Sequence, residues 1–356
     1  MINQQTSIAK DTMKILLVGG TGLISTAIVQ QLLDRGDQVT VYNRGVSEKR
    51  FKGTVSEIKG NRWEAPAFEA EMAKHTWDAV IDMVAYHPDN AHSLLRAFRG
   101  RAKHLVVCST VCVYGGPMTK LPATDDEPHR YVTEYGKNKS EIERILLGDD
   151  GQQGMRTSVM RPSFTTGEGT TACGLFFDDS TPNRLRRGLP VLVHDGGKAA
   201  WAIAHVSDVA RGFVNSLMNP KAYGQAYHLT SDEHTTWEGV FKAMAEAAGG
   251  KLNMASVPTD FAYAAAPRRS VGVKFIYQYP SIFDNSKAAR DLGFKTTVPL
   301  VETFRKQIDW MEKTGKMVKV EDENFTDVLL EAQKAGTPDL KGKTKDFNPW
   351  GNNTTS

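Results

Sequence analysis

The sequence predicts an α/β protein built on a parallel, doubly wound sheet, with a smaller C-terminal α/β part after it. Three observations carry that prediction. Apolar runs without polar alternation recur at 15–18, 77–84 and 105–108, as strands covered by helices on both faces require. Stretches with helical spacing follow them, beginning with TAIVQQLLDRG. A glycine-rich turn, residues 19–25, joins the first strand to that first helix.

That turn reads G-x-x-G-x-x-S. Gly19 and Gly22 permit a tight bend and close backbone approach, with Thr21 between them. Leu23 and Ile24 open a helix whose free N–H groups face an anion, and a dinucleotide pyrophosphate is its natural occupant. Ser25 stands where the G-x-G-x-x-G fingerprint has its last glycine, and it is small enough for the contact between helix and strand.

The alternating run QVTVY at 38–42 is the second strand, and the position at its carboxyl end meets the adenosine ribose in a unit of this kind. An acidic residue there would repel a 2′-phosphate. This chain has Asn43 and then Arg44, a neutral acceptor and a guanidinium able to pair with phosphate, so NADP is expected over NAD. The plain alternative leaves Arg44 as an exposed loop residue. Asn61 and Arg62 end a short segment and are expected to border the adenine, while Val84 and Ala85 leave room for a cofactor at the end of the 77–84 strand.

The 105–108 strand runs into Ser109 and Thr110, and the next informative stretch is YGKNK at 135–139. Residues four apart share a helix face, so Tyr135 and Lys139 converge. A neighbouring cation favours phenolate and lowers the Tyr pKa, which makes a general acid/base.

Composition sets limits on the rest. The 356 residues with 40% hydrophobic content support a large core, as one large domain or a nucleotide-binding domain with a smaller partner. Net charge is +3 from 44 basic and 41 acidic residues, which argues against a general attraction to nucleic acid. The clusters Arg184, Arg186, Arg187 and Arg268, Arg269 read as solvated surface or as phosphate partners. Residues 1–12 lack the apolar centre of a signal peptide, and no apolar stretch approaches the ~20 residues of a membrane span, so a cytoplasmic protein without membrane partner is expected. The 3 cysteines, Cys108, Cys112 and Cys173, lack metal-ligand spacing and read as buried thiols; no metal is assigned.

With those residues in place, the chain resembles an extended short-chain dehydrogenase/reductase of the NAD-dependent epimerase/dehydratase group. The likeness runs in order through GGTGLIS at 19–25, STVCVYG at 109–115, YGKNK at 135–139, RPS at 161–163, HVSDVA at 205–210 and FDNSKAARDLGF at 283–294, over about residues 13–312. The resemblance implies a Rossmann-type fold in which Tyr135 is the acid/base, Lys139 holds the nicotinamide ribose and tunes Tyr135, and Thr110 hydrogen-bonds the substrate oxygen. Leu23 and Ile24 would supply pyrophosphate amides, and the segment around Pro162 would flank the nicotinamide. The activity implied is hydride transfer at a carbinol carbon of a sugar-like or otherwise hydroxylated small molecule, ending there or leading to epimerisation or elimination, in a chain that often dimerises through helices beside the Tyr135 segment.

The chain also departs from that pattern. Trp201-Ala202 stands where nucleotide-sugar members have Arg-Asp, and Phe164 where Asn is usual, both arguing against a UDP- or dTDP-sugar. Trp201 stacks on a sugar face or belongs to the core. A different class remains open, since VTVYNRG and the missing Arg also resemble chloroplast stem-loop RNA-binding proteins on this fold.

The expected organisation is an extension at 1–12, a dinucleotide-binding domain at 13–165, a substrate-binding part at 166–320 that returns in part to the sheet, and an extension at 321–356. Within it, residues 335–356 read as a tail with Phe347 or Trp350 as a subunit anchor. His205 and Asp208 are read as stabilising a helix start.

Overall fold

A computed structural model describes residues 12–172, 174–340 and 342–344, so Cys173, Phe347 and Trp350 lie outside the described residues. The chain runs β1 (Lys14–Val18), α1 (Leu23–Arg35), β2 (Gln38–Asn43), β3 (Ser56–Lys59), α2 (Ala65–Met72), β4 (Trp77–Asp82), α3 (Pro88–Phe98), β5 (Ala102–Cys108), α4 (Glu134–Gly148) and β6 (Arg156–Pro162). Every ladder among these strands is parallel, and with β10 (Gln225–Leu229) they form a seven-stranded sheet in the order β10-β6-β5-β4-β1-β2-β3. The order reverses beside β1, which opens a crevice at the carboxyl ends of the strands.

Both faces are covered, as the unbroken apolar runs require. Helix α1 packs with α6 (Val206–Ser216) on one face, and α2, α3 and α4 pack together on the other. Lys14 sits at the edge, while Ile15 to Val18 are fully buried between the layers.

The second part begins at β7 (Phe164–Thr166) and adds α5 (Thr181–Arg186), β8 (Pro190–His194), β9 (Ala200–His205), β11 (His234–Thr236), α7 (Trp237–Ala248) and β12 (Asn253–Val257). A three-stranded sheet, β11-β9-β7, and a two-stranded one, β12-β8, frame a separate core. Helix α7 stops at Gly249, whose left-handed φ of 68° closes the helix end. Four further helices follow: α8 (Thr259–Ala265), α9 (Pro267–Gly272), α10 (Ser286–Leu292) and α11 (Leu300–Lys313).

The segment after residue 320 starts as structure. Helix α12 (Phe325–Ala335) buries Phe325, Leu329 and Ala332 in the core of the second part, and Leu340 joins them. Its carboxylates, with those just before it, engage the arginines left open as phosphate partners: Arg184 pairs with Asp327, Arg187 with Glu321 and Arg269 with Glu323, while Arg186 pairs with Glu312 of α11. Among the described residues no helix is long and apolar enough to cross a membrane.

Candidate active site

The carboxyl ends of the strands surround a cavity of about 500 Å3, walled by the turn at 19–25, by the ends of β2, β3 and β4, and by Cys108 to Thr110, Tyr135 and Pro162. Gly19 has φ +86°, and a Cβ there would lie 2.5 Å from Val84 Cγ1. Gly22 caps α1, so the N–H groups of Leu23, Ile24 and Ser25 have no acceptor inside the helix and line the cavity. Ser25 does more than fit: its Oγ accepts the Gly22 N–H at 2.9 Å, which fixes the turn.

Around the adenosine end the expected residues divide. Asn43 Oδ1 accepts the Gly45 N–H at 2.7 Å and shapes the bend that leaves Arg44 exposed at the cavity rim. Asn61 lines the cavity, with its Oδ1 accepting the Trp63 N–H at 3.2 Å. Arg62 also lines the cavity, with most of its side chain packed inward. Its guanidinium lies 4.2 Å from the centre of the Phe68 ring, donates to the Asn90 carbonyl at 2.9 Å and pairs with the buried Asp82 at 3.5 Å. Val84 lines the cavity, whereas Ala85 is fully buried in the core behind it. The room expected at this strand end is partly taken by Tyr86, which stacks on Trp63 with ring centres 6.2 Å apart.

Thr110, Tyr135 and Lys139 are brought together. Thr110 is held by the turn after β5, where its Oγ1 accepts the Cys112 N–H at 3.2 Å, and it hydrogen-bonds the Tyr135 hydroxyl. Lys139 is 1% exposed; its Nζ donates to the Cys108 carbonyl at 2.7 Å and lies 5.8 Å from the centre of the Tyr135 ring. One expectation is corrected here. Tyr135 does not have a lowered pKa: burial pushes its phenol well above the usual value, with the Cys112 and Cys108 thiols and Tyr86 acting in the same direction. Burial also lowers the Lys139 pKa. The phenol therefore keeps its proton at neutral pH.

Sequence reading missed the group that anchors this arrangement. Glu143 lies eight residues after Tyr135 on the same face of α4, and it accepts from Ser109 Oγ and from Arg161 Nη2 and Nε, the last at 3.0 Å. Arg161 continues to the Tyr114 hydroxyl at 2.6 Å, which meets His228 Nε2 at 2.7 Å. The i, i+4, i+8 spacing of Tyr135, Lys139 and Glu143 was a visible signal. Trp63, Tyr86 and Cys112 gave none, because their places depend on tertiary packing.

Trp201 is core: it is 2% exposed and stacks on Trp237 at 5.6 Å. Phe164 packs against Trp237 and Tyr277, each at 6.4 Å, beside the core of the second part. His205 caps α6 by accepting the Ser207 N–H at 3.2 Å, and Asp208 accepts the Thr297 N–H at 2.7 Å, both holding local structure. Cys108 is buried, with its thiol pushed up to about 11 by burial.

Comparison with known proteins identifies the family and the fold. The model of the NAD dependent epimerase/dehydratase family matches residues 15–229. A 2′-dehydrokanamycin reductase of Streptomyces kanamyceticus is 27% identical over 71% of this chain and 72% of its own. The chloroplast stem-loop binding protein of 41 kDa b of Arabidopsis thaliana is 25% identical over 85% of this chain and 83% of its own. Among solved structures, the UDP-glucose 4-epimerase of Thermotoga maritima superposes with a TM-score of 0.71 at 20% identity, over 84% of this chain and 99% of that one.

Proposed function

The chain belongs to the NAD dependent epimerase/dehydratase family and is an oxidoreductase of that type; on that premise we propose that it reduces a carbonyl carbon of a small, hydroxylated, sugar-like molecule that carries no nucleotide, using NADPH in preference to NADH. The observation that carries the reading is the convergence of Thr110, Tyr135 and Lys139 at the inner end of a cavity walled by a glycine turn and a helix N-terminus.

The cavity fits a nicotinamide dinucleotide. Val84 fills the space where a side chain at Gly19 would stand, and the N–H groups of Leu23, Ile24 and Ser25 suit a pyrophosphate. Arg44 would meet a 2′-phosphate at the rim, and Asn61 would border the adenine. When bound, the reduced cofactor supplies the hydride that the carbonyl carbon accepts.

The protein's own part is the proton. Tyr135 keeps its proton in the buried site, so it is set to donate to the carbonyl oxygen as that oxygen gains charge. Thr110 positions that oxygen through its hydroxyl. Lys139 has further N–H groups beyond the one held by Cys108, and these would bind the ribose and stabilise the phenolate left after transfer. Absence of a nucleotide on the substrate is supported by the engagement of Arg184, Arg186, Arg187 and Arg269 with carboxylates, and by the burial of Trp201. The chemistry at Tyr135 favours the enzyme over an RNA-binding protein, which has no use for a proton donor buried at the end of a cleft.

The test is titration with NADPH and NADH by nicotinamide fluorescence, followed by reduction of 2-hydroxycyclohexanone by the wild type and by Tyr135→Phe. The expected outcome is tighter NADPH binding in both proteins and a fall in kcat of about 10²–10⁴-fold in the variant. Full turnover by Tyr135→Phe refutes the assigned proton donor.

A further inference from the structure

A second aromatic ring attends the Lys139 ammonium. The Nζ lies over the Tyr86 ring, 4.7 Å from its centre, whereas the centre of the Tyr135 ring is 5.8 Å away. The two rings stand 6.5 Å apart, and both line the cavity. Tyr86 belongs to the segment between β4 and α3, and the first turn of α3 fixes its backbone. There Asn90 Oδ1 accepts the N–H groups of Tyr86 and His87, each at 3.0 Å. The Trp63 ring, 20° from parallel, supports that of Tyr86.

The ammonium has little else to compensate its charge. Among the described residues its hydrogen bond goes to the neutral Cys108 carbonyl. The titratable groups that face it are Asp82 at the end of β4, Cys108 of β5, Tyr135 and Glu143 of α4, and Tyr86 itself. Neither carboxylate pairs with it. Asp82 accepts the Val84 N–H at 2.8 Å and meets Arg62 at 3.5 Å, while Glu143 is held by Arg161 and Ser109. A cation taken out of water needs compensation, and the electron-rich face of an aromatic ring supplies it without a charge of its own. The positive charge of Lys139 therefore stays available to a phenolate at Tyr135, where a paired carboxylate would have neutralised it.

We propose that Tyr86 is a positioning residue: the face of its ring holds the Lys139 ammonium beside Tyr135, in the place of a paired carboxylate. Its effect on turnover rests on the reduction proposed above, whereas its hold on the ammonium can be read without catalysis.

The experiment is a pH titration of the Lys139 side chain by NMR of the full chain with isotope-labelled lysine Cε, the signal being assigned by its loss in Lys139→Arg. The wild type is compared with Tyr86→Phe, Tyr86→Leu and Tyr86→Phe carrying a trifluorinated ring. Fluorination keeps the shape of the ring and removes its negative face, so that variant is expected to melt at the wild-type temperature. Tyr86→Phe is expected to titrate with the wild type, and the fluorinated and Leu variants about one pH unit lower. With NADPH and 2-hydroxycyclohexanone, the fluorinated variant is expected to lose about fivefold in kcat while Tyr86→Phe keeps wild-type turnover. Coincident titration of the wild type and the fluorinated variant overturns the proposal, as does a Tyr86→Phe variant that titrates with Tyr86→Leu. A wild type that titrates as expected but reduces no ketone refutes the reductase and leaves the hold of Tyr86 on Lys139 standing.

Discussion

His104 ties the stability of the central sheet to pH in a way that can be worked through from its hydrogen bonds. It is fully buried on β5, with its Nδ1 accepting the Met218 N–H at 3.1 Å. Its Nε2 lies 2.8 Å from Ser158 Oγ, which itself donates to the Ala222 carbonyl at 2.6 Å. The ring must therefore be neutral with its proton on Nε2, because a proton on Nδ1 would oppose the Met218 N–H. Burial lowers the pKa from 6.5 to about 4. The folded value lies below the unfolded one, so the stability it confers is present above 6.5 and is lost as pH falls towards 4. Between about pH 7.5 and about pH 5 the loss attributable to this one group is about 2 kcal/mol. Urea unfolding of the wild type and of His104→Gln at those two pH values measures it. The variant is less stable at neutral pH, and its stability falls by about 2 kcal/mol less on acidification. An equal fall in both proteins refutes the assignment.

Two further substitutions test the framework of the site. Gly19→Ala forces a side chain into a left-handed φ of +86° and against Val84. A loss of about 2 kcal/mol in stability, with weaker NADPH binding, is expected, and an unchanged titration would show that the turn does not shape the cofactor cleft. Glu143→Gln leaves Arg161 buried without its carboxylate, at a cost of about 3 kcal/mol by urea unfolding. A cost below about 1 kcal/mol would show that Tyr114 and His129 suffice to hold that guanidinium.

What the sequence made legible was local or periodic. The strand at Lys14–Val18, the glycine turn and the Tyr135–Lys139 face are each written in a few adjacent residues, and the structure places them as expected. The inward contacts of Arg62 were not legible, because they depend on Asp82 and Asn90, whose positions are set by sheet register and by the start of α3. The direction of the Tyr135 shift was misjudged for a related reason. A cation four residues away is visible in sequence, whereas the burial that raises the value, with Cys112, Cys108 and Tyr86 acting in the same direction, comes from elements far apart in the chain. The segment after 320 was read by its polar end, which hid the apolar stripe of Phe325 and Leu329.

The close fit at Gly136 sets how α4 meets the turn after β5. A Cβ there would lie 2.5 Å from the Cys112 carbonyl, so the two backbones touch at the point where the helix begins. Thr133 caps that first turn by accepting the Gly136 N–H at 3.1 Å. Tyr135, Lys139 and Glu143 ride on one helical face, and a single contact between main chains therefore indexes all three against Thr110. Side chains lining the cleft are free to diverge as substrates change, while the alignment of proton donor, ammonium and carboxylate stays keyed to a position where only a hydrogen fits.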